Sequence, residues 1–165
     1  MIESDLVTGF VERVLNGCDA GAIDDLCDAR FRDFDPIAIP GYPNRKIQDR
    51  EYIRALCGFL RSDDVDVYFT LEDMFGIPGK IAYQLFGEGL VTVDSPTEPP
   101  VESGRHSTSP SVVPTFNPFS VMQASTLAKG GRLLKNKLHV QYRSIGIFRI
   151  GNRRLVERRG QIVVS

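Results

Sequence analysis

The C-terminal end of the chain constrains the fold most. From Lys137 to Val164 it reads KLHVQYRSIGIFRIGNRRLVERRGQIVV, two runs rich in β-branched and aromatic residues around a Gly151-Asn152 pair. That pattern predicts two antiparallel strands joined by a tight turn. Along the first strand His139, Gln141, Arg143, Ile145, Ile147 and Arg149 share one face. Leu138, Val140, Tyr142, Ser144, Gly146, Phe148 and Ile150 share the other. On the second strand, strict alternation sets Leu155, Glu157, Arg159 and Gln161 against Val156, Arg158, Gly160 and Ile162. Ionisable groups in line with apolar ones suit a sheet that curls around a pocket, and a solvated outer face has the same pattern.

Upstream, Asp5 to Leu15 carries Leu6, Phe10, Val14 and Leu15 at helical spacing, and Ala22 to Asp28 reads as a second, short helix. Phe31 to Asp35 is extended, and Pro36, Pro40, Gly41 and Pro43 make the next segment a loop. Asp49 caps a third helix, Arg50 to Arg61, with Ile53, Leu56, Cys57 and Leu60 on one side. Val65 to Phe75 alternates as a strand, Gly76 to Lys80 is a turn, and Ile81 to Val93 is a second long strand. The following stretch, about 94–130, is dense in Pro, Ser, Thr and Gly, as loops and insertions are. Phe119 and its neighbours make it a candidate lid, and Ser120 to Lys129 is compatible with a short amphipathic helix. The order is three helices interrupted by a short strand, then four long antiparallel strands, which predicts an α+β domain spanning 1–165.

Composition narrows the function classes. With 165 residues, 42% hydrophobic and 25% charged, the chain can bury a core without staples. Cys18, Cys27 and Cys57 have neither CxxC nor zinc-ligand spacing, so buried free thiols are expected and no metal site is. The N-terminus lacks a basic region followed by an apolar run, and no apolar segment approaches membrane-spanning length. A cytoplasmic protein without a membrane partner is the expectation. Residues 1–80 hold 16 of the 21 acids, whereas 129–165 hold 10 of the 20 Lys and Arg with Glu157 as the lone acid. A basic end can serve nucleic acid or anionic ligands. The net charge of −1 and the lack of an RNA-binding or helix-turn-helix pattern favour a solvated sheet face instead.

The segments DAGAIDDLCDARFRDFDP, DREYIRALCGFL, VDVYFTLEDMFGIPGKIAYQLFGEG and SIGIFRIGNRRLVERRG together resemble the SnoaL-like polyketide cyclases of the NTF2-like superfamily. The resemblance covers most of the chain outside roughly 94–135. It implies a cone, in which a strongly curved antiparallel sheet and three N-terminal helices enclose a pocket, and a homodimer paired through the exposed sheet face. It also implies a small apolar organic substrate. The chain departs from the family's pattern at three places. Phe34 stands where the family often has His before Asp-Pro, Gly89-Leu90-Val91 stands for Gly-Thr-His, and Gly146 stands where an acid precedes Phe-Arg-Ile.

Asp35 is the first candidate for acid–base work, because a carboxylate in an apolar wall has its pKa raised toward neutrality. It could equally accept backbone N–H bonds in the turn that Pro36 forces. His139, mid-strand, can exchange protons at neutral pH, and Glu157 could orient it. Both could instead be ordinary surface groups. Tyr52, Tyr68 and Tyr83 can donate to a ligand carbonyl, as can Tyr42 and Tyr142. Glu88 lies between glycines that allow close approach, and Arg143 shares the face of His139. Tyr52, Tyr68, Tyr83, Glu88, Arg143 and Phe119 are the expected substrate contacts. No phosphate loop, dinucleotide fingerprint or nucleophile elbow is present, so no cofactor is expected. The sequence thus predicts a cofactor-independent tailoring enzyme, a cyclase or isomerase acting on a polyketide- or terpenoid-like intermediate. Dehydratase chemistry, epoxide opening and a non-catalytic binding or dimerisation module are the alternatives.

Overall fold

The computed structural model describes residues 3–96 and 133–162. Phe119 and the helix expected at 120–129 lie outside the described residues, as does most of the expected insertion. Helix α1 (Glu3–Gly9) continues directly into a π-helical segment, Phe10–Asn16, and α2 (Ala20–Leu26) and α3 (Arg50–Leu60) follow. Five strands complete the fold: β1 (Cys27–Asp33), β2 (Val65–Ile77), β3 (Lys80–Pro96), β4 (Leu133–Gly151) and β5 (Arg154–Ile162). The sheet order is β1-β5-β4-β3-β2, with β1 parallel to β5 and every other pair antiparallel. It is therefore a mixed α+β sheet.

Local chemistry accounts for these boundaries. Asp49 caps α3 by accepting from the N–H groups of Glu51 (3.0 Å) and Tyr52 (3.4 Å), as its sequence position predicts. Asp19 caps α2 in the same way, which starts that helix two residues earlier than expected. Cys27 and Asp28 then leave the helix and enter β1, because Cys27 pairs with Leu155 and Asp33 with Arg158. The β4–β5 turn is centred on Asn152 and Arg153 (φ 52° and 60°), one residue later than the expected Gly151-Asn152 pair because Gly151 already pairs with Arg154. These two supply the left-handed backbone that a two-residue hairpin requires. Pairing of β3 with β4 persists through Pro96 and Leu133, so the strands run further than the composition of 94–96 suggests.

The core lies between the helices and one face of the sheet. Phe10 stacks edge-on against Phe148 (5.4 Å) and tilts toward Phe31 (6.4 Å), and all three are fully buried. Burying each such ring is worth roughly 1.5–3 kcal/mol. Asn16 ties the π-helical segment to β2 by acting as an extra strand residue. Its side chain donates to the Phe69 carbonyl and accepts from the Phe69 N–H, both at 2.8 Å.

On β4, Val140, Tyr142, Ser144 and Phe148 are buried while Gln141, Ile145, Ile147 and Arg149 are exposed, so the expected faces of that strand are the observed ones. On β5 they are not. Arg149 pairs with Glu157 and Ile150 with Leu155, so Val156 is an extra residue in a β-bulge. The bulge shifts the alternation by one, and both Leu155 and Arg158 point inward. Cys27 and Cys57 are buried thiols, pushed by burial up to about 12 and about 11. Among the described residues no helix is long and apolar enough to cross a membrane.

Candidate functional site

The interior face of the sheet carries a polar cluster centred on Arg158. Its side chain is 4% exposed, and its Nη1 donates to Asp33 Oδ2 at 3.0 Å, a carboxylate with no exposure at all. Its Nε donates to the Tyr83 hydroxyl oxygen (2.8 Å) and its Nη2 to that of Tyr142 (3.3 Å). The other Asp33 oxygen accepts the Asp35 backbone N–H at 3.0 Å. Asp33 and Gln48 also exchange backbone bonds, so Asp33 is held from every side. One buried guanidinium thus organises a carboxylate and two phenols from β1, β3 and β4.

Because Arg158 donates to the Tyr83 oxygen, that oxygen is an acceptor in this bond and its own O–H is directed elsewhere. The bond to a cation also makes the phenol a stronger donor. Burial raises Tyr142 and, above all, Tyr52, while Arg158 partly offsets the rise at Tyr142.

Asp35 sits beside this network. Its Oδ2 is sealed from solvent and has no hydrogen-bond partner, and the same holds for Ser144 Oγ. Buried polar atoms without partners are rare in folded proteins and need a reason. Burial is the main cause that raises the Asp35 carboxyl above the usual range, Asp33 adds to it, and Arg158 opposes it.

Gly160 shows where these groups aim. A carbon placed on its Cα would lie 3.0 Å from Asp35 Oδ2, 3.2 Å from Ser144 Oγ and 3.3 Å from the Tyr83 hydroxyl. Three oxygens therefore converge on one point that a Cβ at this position would crowd. The facing residue, Gly146, pairs with both Gly160 and Tyr83 across the strands. A side chain there would collide with the Tyr83 hydroxyl at 2.6 Å and the Arg159 carbonyl at 2.5 Å. Where the resemblance leads one to expect an acid at this position, the space is filled by Tyr83.

The structure separates the other expected residues from this cluster. The expected facing of Asp35 and His139 is not formed. His139 is on the outer sheet face, its ring 57% exposed and 3.1 Å from Glu88. Glu88, also exposed, accepts from Gln141, and the room beside it at Gly87 is taken by the Phe69 ring. Glu157 points outward because of the Val156 bulge, and it pairs with Arg149 and Arg159 rather than with His139. Tyr68 is exposed, and Arg143 lies outside over Phe86 and 3.5 Å from Glu72. Tyr52 is buried but donates to the Ile37 carbonyl at 2.8 Å, which leaves its hydroxyl proton committed. Of the expected site residues, Asp35 and Tyr83 meet; Arg158, Asp33 and Ser144 join them unexpectedly. No signal within β5 marks the slip at Val156 that carries Arg158 inside; it is set by the pairing of β5 with β4.

No protein-family model and no curated protein matches the sequence. Solved structures do match. IdmH from Streptomyces antibioticus, assigned as a polyketide cyclase, superposes with a TM-score of 0.58 at 16% identity over 98% of this chain and 92% of its own. The chain has the SnoaL-like, NTF2-like fold. A protein from Jannaschia sp. CCS1, assigned as a SnoaL-like polyketide cyclase, gives a TM-score of 0.56 at 10% identity over 97% of this chain and 84% of that one. An epoxide hydrolase of the LEH-like type from Mycobacterium tuberculosis gives 0.50 at 11% over 96% and 80%. Within this SnoaL-like fold, the Asp33–Arg158–Tyr83 network and the unpartnered Asp35 oxygen are the features of the interior that can handle protons.

Proposed function

We propose that the protein is a cofactor-independent tailoring enzyme, a cyclase or isomerase, acting in a cone-shaped pocket on an uncharged polyketide- or terpenoid-like carbonyl compound. The observation that carries this reading is the convergence of the Asp35, Ser144 and Tyr83 oxygens beside Gly160. Asp35 takes a proton from a carbon next to the carbonyl, its raised proton affinity matching it to work closer to neutrality. Tyr83, whose oxygen is held by Arg158, donates its hydrogen to the carbonyl oxygen as negative charge develops there. Ser144 offers a second polar contact to the same substrate group. Two carboxyl groups, Asp33 and Asp35, stand here against one guanidinium, Arg158, an arrangement that disfavours a substrate carboxylate and favours a neutral oxygen function. The names of neighbours with this fold, two polyketide cyclases and an epoxide hydrolase, fit such chemistry.

Gly160→Ala tests the location. Its methyl group would occupy the convergence point, so binding and turnover of neutral ketones and hydroxyketones should be lost while circular dichroism and the thermal midpoint change little. A variant that turns over the same compounds at the wild-type rate would remove the site from this place.

The outer sheet face supports a second proposal, a homodimer. Tyr68, Phe75, Ile145 and Ile147 stand on it at 59%, 72%, 51% and 47% exposure, an unusual apolar display for a monomer. A two-fold contact through that face would cover it. Sedimentation equilibrium at micromolar concentration should report twice the 18.4 kDa chain mass. An Ile145→Glu/Ile147→Glu variant should sediment as a monomer, and a wild-type protein that does so as well would refute the dimer.

A further inference from the structure

A groove at the turn end of the sheet is built for an anion. It has a volume of about 650 Å³ and is lined by Arg30, Arg32, Lys80 and Arg149 against one acid, Glu157, with Asn152 at its rim. Register brings these together: Arg32 and Arg149 both pair with Glu157, and Lys80 pairs with Arg149. Across β1, β5, β4 and β3 the row therefore reads Arg, Glu, Arg, Lys, over about 14 Å at the usual strand spacing.

The charges in this row are not balanced by the protein. Glu157 is engaged by Arg149 at 3.2 Å and also by Arg159. Arg30 reaches Asp28 at 3.5 Å, and Arg32 donates to the Phe31 carbonyl. Among the described residues no carboxylate lies within ion-pair distance of Arg32 or Lys80. Lys80 directly opposite Arg149 is a like-charge cross-strand pair, which costs stability. Elsewhere on the same face Arg143 has an acid, Glu72 at 3.5 Å. The groove thus gathers four cationic side chains against one acid, in a chain of net charge −1.

We infer that this groove binds a small molecule through a phosphate or diphosphate group. Arginine forks match oxyanion geometry, and a multivalent anion offsets the Lys80–Arg149 repulsion. The volume falls within the range of small-ligand clefts, so an organic portion fits beside the anionic group. The binding site is independent of the interior cluster and of the reaction proposed there.

Calorimetric titration with inorganic pyrophosphate at low ionic strength tests it. The expected result is saturable one-to-one binding that weakens with added salt. Lys80→Gln and Arg149→Gln should each weaken it by roughly tenfold or more, the value of a charge-assisted bond. Arg45→Gln, an exposed cation outside the groove, should leave it unchanged. Non-saturable heats, equal weakening by Arg45→Gln, or retained affinity in a folded Lys80→Gln/Arg149→Gln double variant would each overturn the proposal. Tighter, groove-dependent binding of a single-stranded oligonucleotide than of pyrophosphate would overturn it in favour of nucleic acid.

Discussion

Arg158→Met is expected to cost about 3–5 kcal/mol of folding stability, the largest loss from any single interior substitution considered for this chain. The change leaves the Asp33 carboxylate, wholly buried, without its counter-charge. It also strips the Tyr83 and Tyr142 oxygens of their donor. Small domains hold only about 5–15 kcal/mol in total, so the variant should be partly unfolded or shifted far down in urea midpoint. Arg158→Lys should also be damaging, because one ammonium cannot reproduce three donor bonds in a fixed plane. The double variant Asp33→Leu/Arg158→Met should recover most of the loss, since replacing both partners removes the uncompensated charge. Urea denaturation of the three variants checks this. An unfolding free energy for Arg158→Met within about 0.5 kcal/mol of wild type, the usual scatter of surface changes, would show that the buried pair does not form.

Asp35→Asn should lower turnover by roughly 10²–10⁴, the contribution of a positioned acid–base group. The same substitution should raise stability at neutral pH. Burial, then Asp33, raises the folded-state carboxyl above its unfolded value, with Arg158 opposing. A raised value means that the folded protein holds the proton more tightly. The favourable contribution is therefore fully present below the unfolded value near 3.9 and is lost as pH rises through the folded one. Above the folded-state value the wild type carries the cost of a charged, half-buried carboxylate, and the asparagine variant does not. The stability gain of the variant should thus grow from about pH 4 upward. Paired urea titrations at pH 4 and 7, together with turnover of a neutral ketone, measure both effects. Unchanged turnover would exclude Asp35 as the base, and a gain that shrinks with rising pH would show that the shift has the opposite sign.

His139→Ala provides the contrast, since the ring is exposed and bonded only to exposed Glu88. The sequence places His139 correctly on its strand and on the face opposite Val140 and Tyr142. It does not say which of those faces is the interior. Ile145 and Ile147 beside His139 make the charged face of β4 partly apolar too, and the packing of Phe10 against Phe148 fixes the other face as the interior. Asp35 was legible because Phe34 and Pro36 flank it at the end of an extended segment. Tyr83 was one tyrosine among five. Nothing local distinguishes it from Tyr68, which the structure leaves 59% exposed.

The order of elements, the cap at Asp49, the position of the closing hairpin and the faces of β4 follow from the chain alone. Each depends on neighbours a few residues apart: side chains that alternate, a carboxylate three residues before an N–H, a turn that needs left-handed backbone. The chemistry of the interior depends on pairs far apart in sequence. Arg158 meets Tyr83 75 residues away and Asp33 125 residues away. Whether it can meet them rests on a single extra residue, Val156, which turns Glu157 out and Arg158 in. A period of two carries no record of a one-residue slip, since the slip is set by how β5 pairs with β1 and β4 rather than by its own residues. The oxygen cradle beside Gly160 arises in the same way, from three strands and a loop that only tertiary structure brings together.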